Sequence, residues 1–396
     1  MYFQAIDDKQ ECIGIYKDGV LYFDDMPKEL HRTWKYSGSI KDEDVEYAWL
    51  YCNGSSLRFA CPPDLLEDYN KIQQKMTAYK KAFKIAKLDF RQHCFFDLVP
   101  HDFLLRFLDI KNQITQHVFE NYEKPKNYTY MDAAEKLLHK IRHRELNINN
   151  EDCRNLFVSS VHRNSANRLL KGPKYIDYKL FGTVTGRLTN HNNCFPVLTI
   201  NRQLRKLLKP KNDWFLSLDY NGAEVRTFLA LAGKEQPEHD IHMWNVNNIF
   251  QNKSYMTRDS AKTMLFSWLY NVDSKNLDTD YYDREPVMDK YYKDGYVETV
   301  FGRKIEVDDR RAFNYIMQST TSDLVIDRAV QIDKALKNKK SSISHIVHDE
   351  VVIDLCDEER DMVPQLKDLF AKNKLDEFVV NVRAGQNYYD MESLKI

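Results

Sequence analysis

Trp214-Phe215-Leu216-Ser217-Leu218-Asp219-Tyr220 is a largely apolar, β-prone run that closes on a carboxylate. A second run, Ile346-Val347-His348-Asp349-Glu350-Val351-Val352-Ile353, places another carboxylate group between two apolar stretches. The pattern predicts a strand ending near Asp219 and a hairpin over 343–355 whose tip holds Asp349. The separation, 349 − 219 = 130 residues, suits strands brought side by side in one sheet. Carboxylates fixed at strand ends can hold a pair of divalent ions. Taken singly, each has an ordinary reading: Asp219 as a cap for the helix starting at Gly222-Ala223-Glu224-Val225-Arg226, Asp349 as a turn residue.

Between them lies Arg258-Asp259-Ser260-Ala261-Lys262-Thr263-Met264-Leu265-Phe266-Ser267-Trp268-Leu269-Tyr270. Arg258, Lys262, Phe266 and Tyr270 recur every four residues and so share one slowly turning helix face. Cations near a helix N-terminus suit phosphates, and the aromatics farther along offer flat faces for bases. The competing reading is an amphipathic helix with Phe266 and Tyr270 in the core and solvated cations. The stripe alone leaves both open.

Composition bounds the rest. The chain has 396 residues, 43% hydrophobic and 30% charged, enough for two or three substructures in a globular protein. The 58 basic against 59 acidic residues give no global nucleic-acid signature, though local fields matter more than net charge. Seven scattered cysteines with no Cys-x-x-Cys pair argue against a zinc site or disulfide framework and for a reducing compartment. No apolar stretch is long enough to span a membrane and the start lacks signal-peptide features, so a cytoplasmic location without membrane partners is expected.

Along the chain, residues 1–60 read as a small β-rich domain, with a hairpin turning at Asp18-Gly19. Helices are expected from Pro63 to Lys87, from Asp102 to Tyr122 and from Met131 to Arg144. The last is basic (Lys136, Lys140, Arg142, Arg144) and suits a duplex backbone. Its His139 and His143 lack the intervening Glu of a metalloprotease helix, and His239 and His242 are read as structural. Thr185-Gly186-Arg187 and Gln318, the latter after Arg311-Ala312-Phe313-Asn314, present groups suited to phosphate or minor-groove contacts.

In order, these motifs resemble those of the family A DNA polymerases, the group of bacterial polymerase I and the T-odd phage replicative enzymes. Asp219 to Arg226 resembles the first palm motif, Arg258 to Tyr270 the fingers helix, and His348-Asp349-Glu350 the second metal motif. Tyr296 to Lys304, Arg311 to Gln318, and the ending Val382-Arg383-Ala384-Gly385-Gln386-Asn387-Tyr388 resemble further blocks, so the likeness spans about 175–396.

The resemblance implies an α+β right-hand fold, with an antiparallel palm sheet (175–235 and 340–396), helical fingers (236–339) and a helical thumb region (61–174). It implies template-directed extension of primer-template DNA with dNTPs, and two Mg2+ ions (Mn2+ substituting) on Asp219, Asp349 and the Tyr220 carbonyl, with Glu350 counted among the catalytic group. Arg258 and Lys262 would hold the triphosphate, Phe266 the base, and Tyr270 the template-base position. Glu224 would exclude ribose. Arg187, Gln318, His348, Asn314 and Arg226 would contact DNA. Asp44-Val45-Glu46 reads as a solvated acidic turn rather than an exonuclease motif, so a phage or mobile-element replicase is expected, with any exonuclease or processivity factor on another polypeptide. Departures occur at Asn221-Gly222-Ala223, at Ser267 and Asn271, and at Ser319-Thr320-Thr321-Ser322. A single-subunit RNA polymerase, a two-metal nuclease and an idle DNA-binding subunit are the alternatives.

Overall fold

The computed structural model describes residues 1–6, 14–23, 27–38, 40, 44–90, 92–151, 153–250, 256–271, 273–274, 277, 279 and 281–396. Among them the chain divides into two compact units, Met1–His139 and Lys140–Ile396.

In the first unit, short strands Gln4–Ala5, Ile15–Lys17 and Val20–Tyr22 form an antiparallel sheet, with the expected turn at Asp18-Gly19. Long helices run over Leu66–Ile85 and His101–Asn121. Tyr69, Ile72, Met76 and Phe83 fall on one face of the first helix at helical spacing, which leaves its lysines in solvent. Tyr16 and Trp34 share a core with these helices, and the Tyr16 hydroxyl donates to Asp109 (2.9 Å). The first 60 residues therefore pack with the helices as one body rather than as a domain of their own. A third helix, Tyr128–Arg142, begins three residues before the expected Met131.

The second unit is organised on a five-stranded antiparallel sheet. Its order is Ser342–Val347, Glu350–Leu355, Trp214–Tyr220, Val380–Gly385, Glu392–Ser393. Trp214–Tyr220 is central and nearly all buried, which explains its unbroken apolar run. The edge strand Ser342–Val347 is sealed by side chains. The Tyr178 hydroxyl donates to the Ile346 carbonyl (2.6 Å) and accepts from the Ile346 N–H (3.0 Å).

Helices Ala223–Leu231, Arg258–Tyr270 and Asp309–Ala335 gather an apolar core around Phe228, Leu265, Trp268, Phe313 and Ile316. The helix Ser160–Lys171 was not foreseen; it buries only Ala166 and Leu169, too few to print a period. Cys94 is disulfide-bonded, whereas Cys52, Cys61, Cys153, Cys194 and Cys356 are free and Cys12 lies outside the described residues. Sequence spacing cannot reveal which thiols meet in space. Among the described residues no helix is long and apolar enough to cross a membrane.

Candidate active site

Asp219 stands one residue from the end of the central strand, paired with Glu350 on one side and Asn381 on the other. Asp349 arrives from the two-residue turn between Val347 and Glu350, which pair directly across it. His348 closes that turn in the left-handed region at φ 55°, a conformation disfavoured for a residue with a Cβ. Both carboxylates line one cleft of about 470 Å³, together with Arg187, Glu224, Arg258, Lys262, Phe266, Tyr270, Gln318, His348 and Asn381. Asp219 is not a helix cap: Gly222 caps Ala223–Leu231 at φ 70°, where a Cβ would lie 2.4 Å from Ile241. That close approach accounts for glycine in the Asn221-Gly222-Ala223 departure.

The electrostatics of the pair are strained. Burial, then the charges of Asp349 and Glu350, push Asp219 up to about 7, against the Asn381 amide that donates to its Oδ2 (3.3 Å). Burial also raises Asp349. Two carboxylates that resist ionising together are matched in sign and donor chemistry to a divalent cation. Among the described residues no group of three or more His, Cys, Asp or Glu side chains is arranged to hold a metal.

Glu350 departs from its expected place among the catalytic residues. Its buried carboxylate accepts from Ser217 Oγ, from Tyr388 Oη (2.7 Å) and from Arg383 Nη2 (3.0 Å). Donors from the central strand, from Val380–Gly385 on its far side and from the segment after that strand meet at this carboxylate. It braces the sheet and is not among the residues that line the cleft.

On the opposite wall, the helix Arg258–Tyr270 buries Ala261, Leu265, Trp268 and Leu269. Phe266 is half-buried and Tyr270 exposed, their rings parallel within 3° at 5.9 Å. The core face is thus mainly the other one, although Phe266 also packs against the core at its margin. Arg258 pairs with Asp240 (2.7 Å), and Lys262 Nζ lies 5.7 Å from the Phe266 ring centroid. Glu224, raised by burial, accepts from Tyr270 Oη and from Arg187 Nη2 (2.5 Å).

Arg187 is set by a buried pair absent from the sequence reading. Arg303 and Asp323 lie 3.0 Å apart, and Arg303 also donates to the Thr185 carbonyl (2.9 Å), anchoring the Thr185-Gly186-Arg187 turn. Gln318 accepts from the Thr185 hydroxyl (3.2 Å). His348 is exposed at the turn, and Asn314, one helical turn before Gln318, is not among the lining residues.

Arg226 is a correction. Expected against DNA, it is fully buried and donates to the carbonyls of Asn221 (2.7 Å), Pro237 (2.8 Å) and His239 (2.7 Å), which fixes the loop leading to Asp240. Cations of the basic helix are likewise engaged, Lys136 with Asp132 (2.8 Å) and Lys140 with Asp333 (2.5 Å).

Sequence reasoning missed Asp240 and Asn381. Asp240 caps Ile241–Asn248 and accepts from Asn221 (3.0 Å) as well as Arg258. Burial opposes its ionisation, but these hydrogen bonds hold its carboxyl well below the usual range. A capping signature was readable there. Nothing in the sequence near Asn381 marks it.

Residues 279–390 match the family described as DNA polymerase family A. The thermostable DNA polymerase I of Thermus aquaticus is 26% identical over 234 residues, 46% of this chain and 28% of that protein. DNA polymerase I of Chloroflexus aurantiacus is 24% identical over 278 residues, 56% of this chain and 30% of that one. The matched stretches thus span less than a third of these curated relatives. Among solved structures, the POL domain of Pol1 from M. smegmatis, in complex with DNA primer-template and dNTP, shares the fold at a TM-score of 0.67 and 13% identity, covering 98% of this chain and 95% of that one. The family match over residues 279–390, the polymerase relatives and the shared α+β fold make this chain similar to DNA polymerase family A.

Proposed function

We propose that the chain extends a primer 3′-end on a DNA template, using deoxynucleoside triphosphates bound in the cleft described above. The observation that carries this reading is the meeting of Asp219 and Asp349 with Arg258, Lys262, Phe266 and Tyr270 around one cavity. A two-metal nuclease needs the carboxylates but has no use for the stripe.

In this reading Asp219, Asp349 and the Tyr220 carbonyl hold two Mg2+ ions, or Mn2+ in their place. When bound, such ions stabilise charge on the attacking 3′-oxygen and on the departing pyrophosphate. Lys262 and Arg258 take the charge of the triphosphate, helped by the dipole of their helix, and Arg258 exchanges Asp240 for phosphate as it does so. Phe266 stacks on the incoming base and Tyr270 occupies the template-base position until the helix closes over a correct pair. Glu224 closes the space beside the 2′ carbon, so ribose is rejected sterically. Arg187, Gln318, His348 and Asn314 hold the primer-template end, and Glu350 keeps the two aspartates in register. Segments 175–235 and 340–396 act as palm, 236–339 as fingers and 61–174 as the thumb region.

Primer extension with Mg2+ and four dNTPs tests this, comparing wild type with Asp219→Ala. Extension by wild type alone, with primer-template binding retained in both, is expected. Binding lost together with extension would make Asp219 structural, and no extension by folded wild type would overturn the reading.

A further inference from the structure

At the end of the central strand remote from Asp219 lies a second cavity, of about 440 Å³. Its wall carries five basic side chains, His143, Arg144, Lys209, Lys211 and Lys340, against only Glu145 and Asp354. Asp354 is already committed, accepting the backbone N–H groups of Lys211 and Asn212 at 2.9 Å each. Glu145 sits 3.8 Å from Lys174, and Lys340 pairs with Glu358 (2.7 Å) in an exposed contact that solvent screens.

Lys209 and Lys211 make no ion pair among the described residues, and neither does Arg144. Arg144 is half-buried, and its one hydrogen bond is from Nη1 to the Ile343 carbonyl (2.9 Å). A guanidinium withdrawn from water without a carboxylate is held at a cost, which an incoming anion would offset.

We propose that this cavity binds the phosphodiester backbone of a nucleic acid. Arg144 supplies a planar fork at its wall, Lys209 and Lys211 supply point charges, and Ser342 and Ser344 supply hydroxyls, the mixture by which phosphates are gripped without reading sequence. An acidic peptide would satisfy the charge but would leave the hydroxyls less well matched. The central strand rises about 3.3 Å per residue, so the cavity lies roughly 20 Å from Asp219. A duplex held by its primer end covers that span in about six base pairs at 3.4 Å each. The proposal rests on the polymerase reading, and it adds a contact that only longer duplexes reach.

The test is fluorescence anisotropy with hairpin primer-templates of about 5 and about 20 base pairs, on wild type and on Lys209→Gln/Lys211→Gln. The long hairpin should bind the variant about tenfold more weakly, with a log–log salt slope shallower by about 2, while the short hairpin binds both proteins alike. Equal effects on the two lengths, or none on either, would overturn the proposal. So would lysine-dependent capture of a hexaglutamate peptide with no change for the long hairpin. Thermal melting of the variant checks the fold. Extension of the short hairpin by wild type reports separately on the polymerase reading, so the two can fail independently.

Discussion

The two walls of the cleft are built on opposite terms. On the sheet wall, one carboxylate, Glu350, collects donors from Ser217, Arg383 and Tyr388, and its neighbours Asp219 and Asp349 are fixed by strand register. On the helix wall, the polar groups are engaged with partners of their own: Arg258 with Asp240, Tyr270 and Arg187 with Glu224. Those contacts are exposed or half-exposed, so a substrate can compete for them. The first wall is preorganised and the second holds contacts open to competition, a division that would suit a rigid reacting centre faced by an element that moves.

The largest break in this contrast should come from Asp349→Ala. On the proposed reading, losing one of the two aspartates removes several kcal/mol of charge stabilisation, so single-turnover extension should fall about 10³-fold or more while primer-template binding persists. Next is Tyr388→Phe, which strips a donor from buried Glu350 and should cost about 1–3 kcal/mol in urea unfolding. Tyr270→Phe, which removes a hydroxyl from the same kind of contact on the exposed wall, should cost under about 0.5 kcal/mol. Equal losses would erase the contrast between walls.

Lys262→Ala comes third. It should raise the dNTP KM about tenfold, read in steady-state extension, and leave unfolding unchanged. Asp240→Asn should cost about 1 kcal/mol through the exposed Arg258 pair, since Asn can still cap the helix, which is less than the tenfold change at Lys262. The Asp240 carboxyl is depressed in the folded state, so its contribution is fully present above its unfolded value. It is lost as pH falls toward the folded value. The melting-temperature gap between wild type and variant should thus be widest at about pH 7 and begin to narrow only as pH falls below about 4.

Much of the sheet wall was legible because strands advertise themselves locally. An apolar run ended by Asp219, and two β-rich stretches around His348-Asp349, specify a strand and a hairpin without knowledge of the rest. The stripe on Arg258–Tyr270 was equally visible, but sequence could not say which face is buried until Trp268 and Leu265 found the core. Arg226 shows the limit: a cation in sequence is not a cation in solvent, and three distant carbonyls decide the matter. Asp240, Asn381 and the Arg303–Asp323 pair escaped for the same reason, since each acts through a partner at least 18 residues away in the chain. Glu350 was found, but the bonds that hold it were not legible, because its donors Ser217, Arg383 and Tyr388 lie far from it in the chain.

The Tyr178 hydroxyl, by taking both polar groups of Ile346, bears on how these molecules behave in a crowd. A sheet edge with open N–H and C=O groups is a template on which another copy can stack. Here a phenol gives and receives the two hydrogen bonds that a neighbouring strand would offer, and Arg144 takes the Ile343 carbonyl farther along. This edge of the sheet ends inside its own molecule, which disfavours edge-to-edge stacking along Ser342–Val347 without any change to the strand's own sequence.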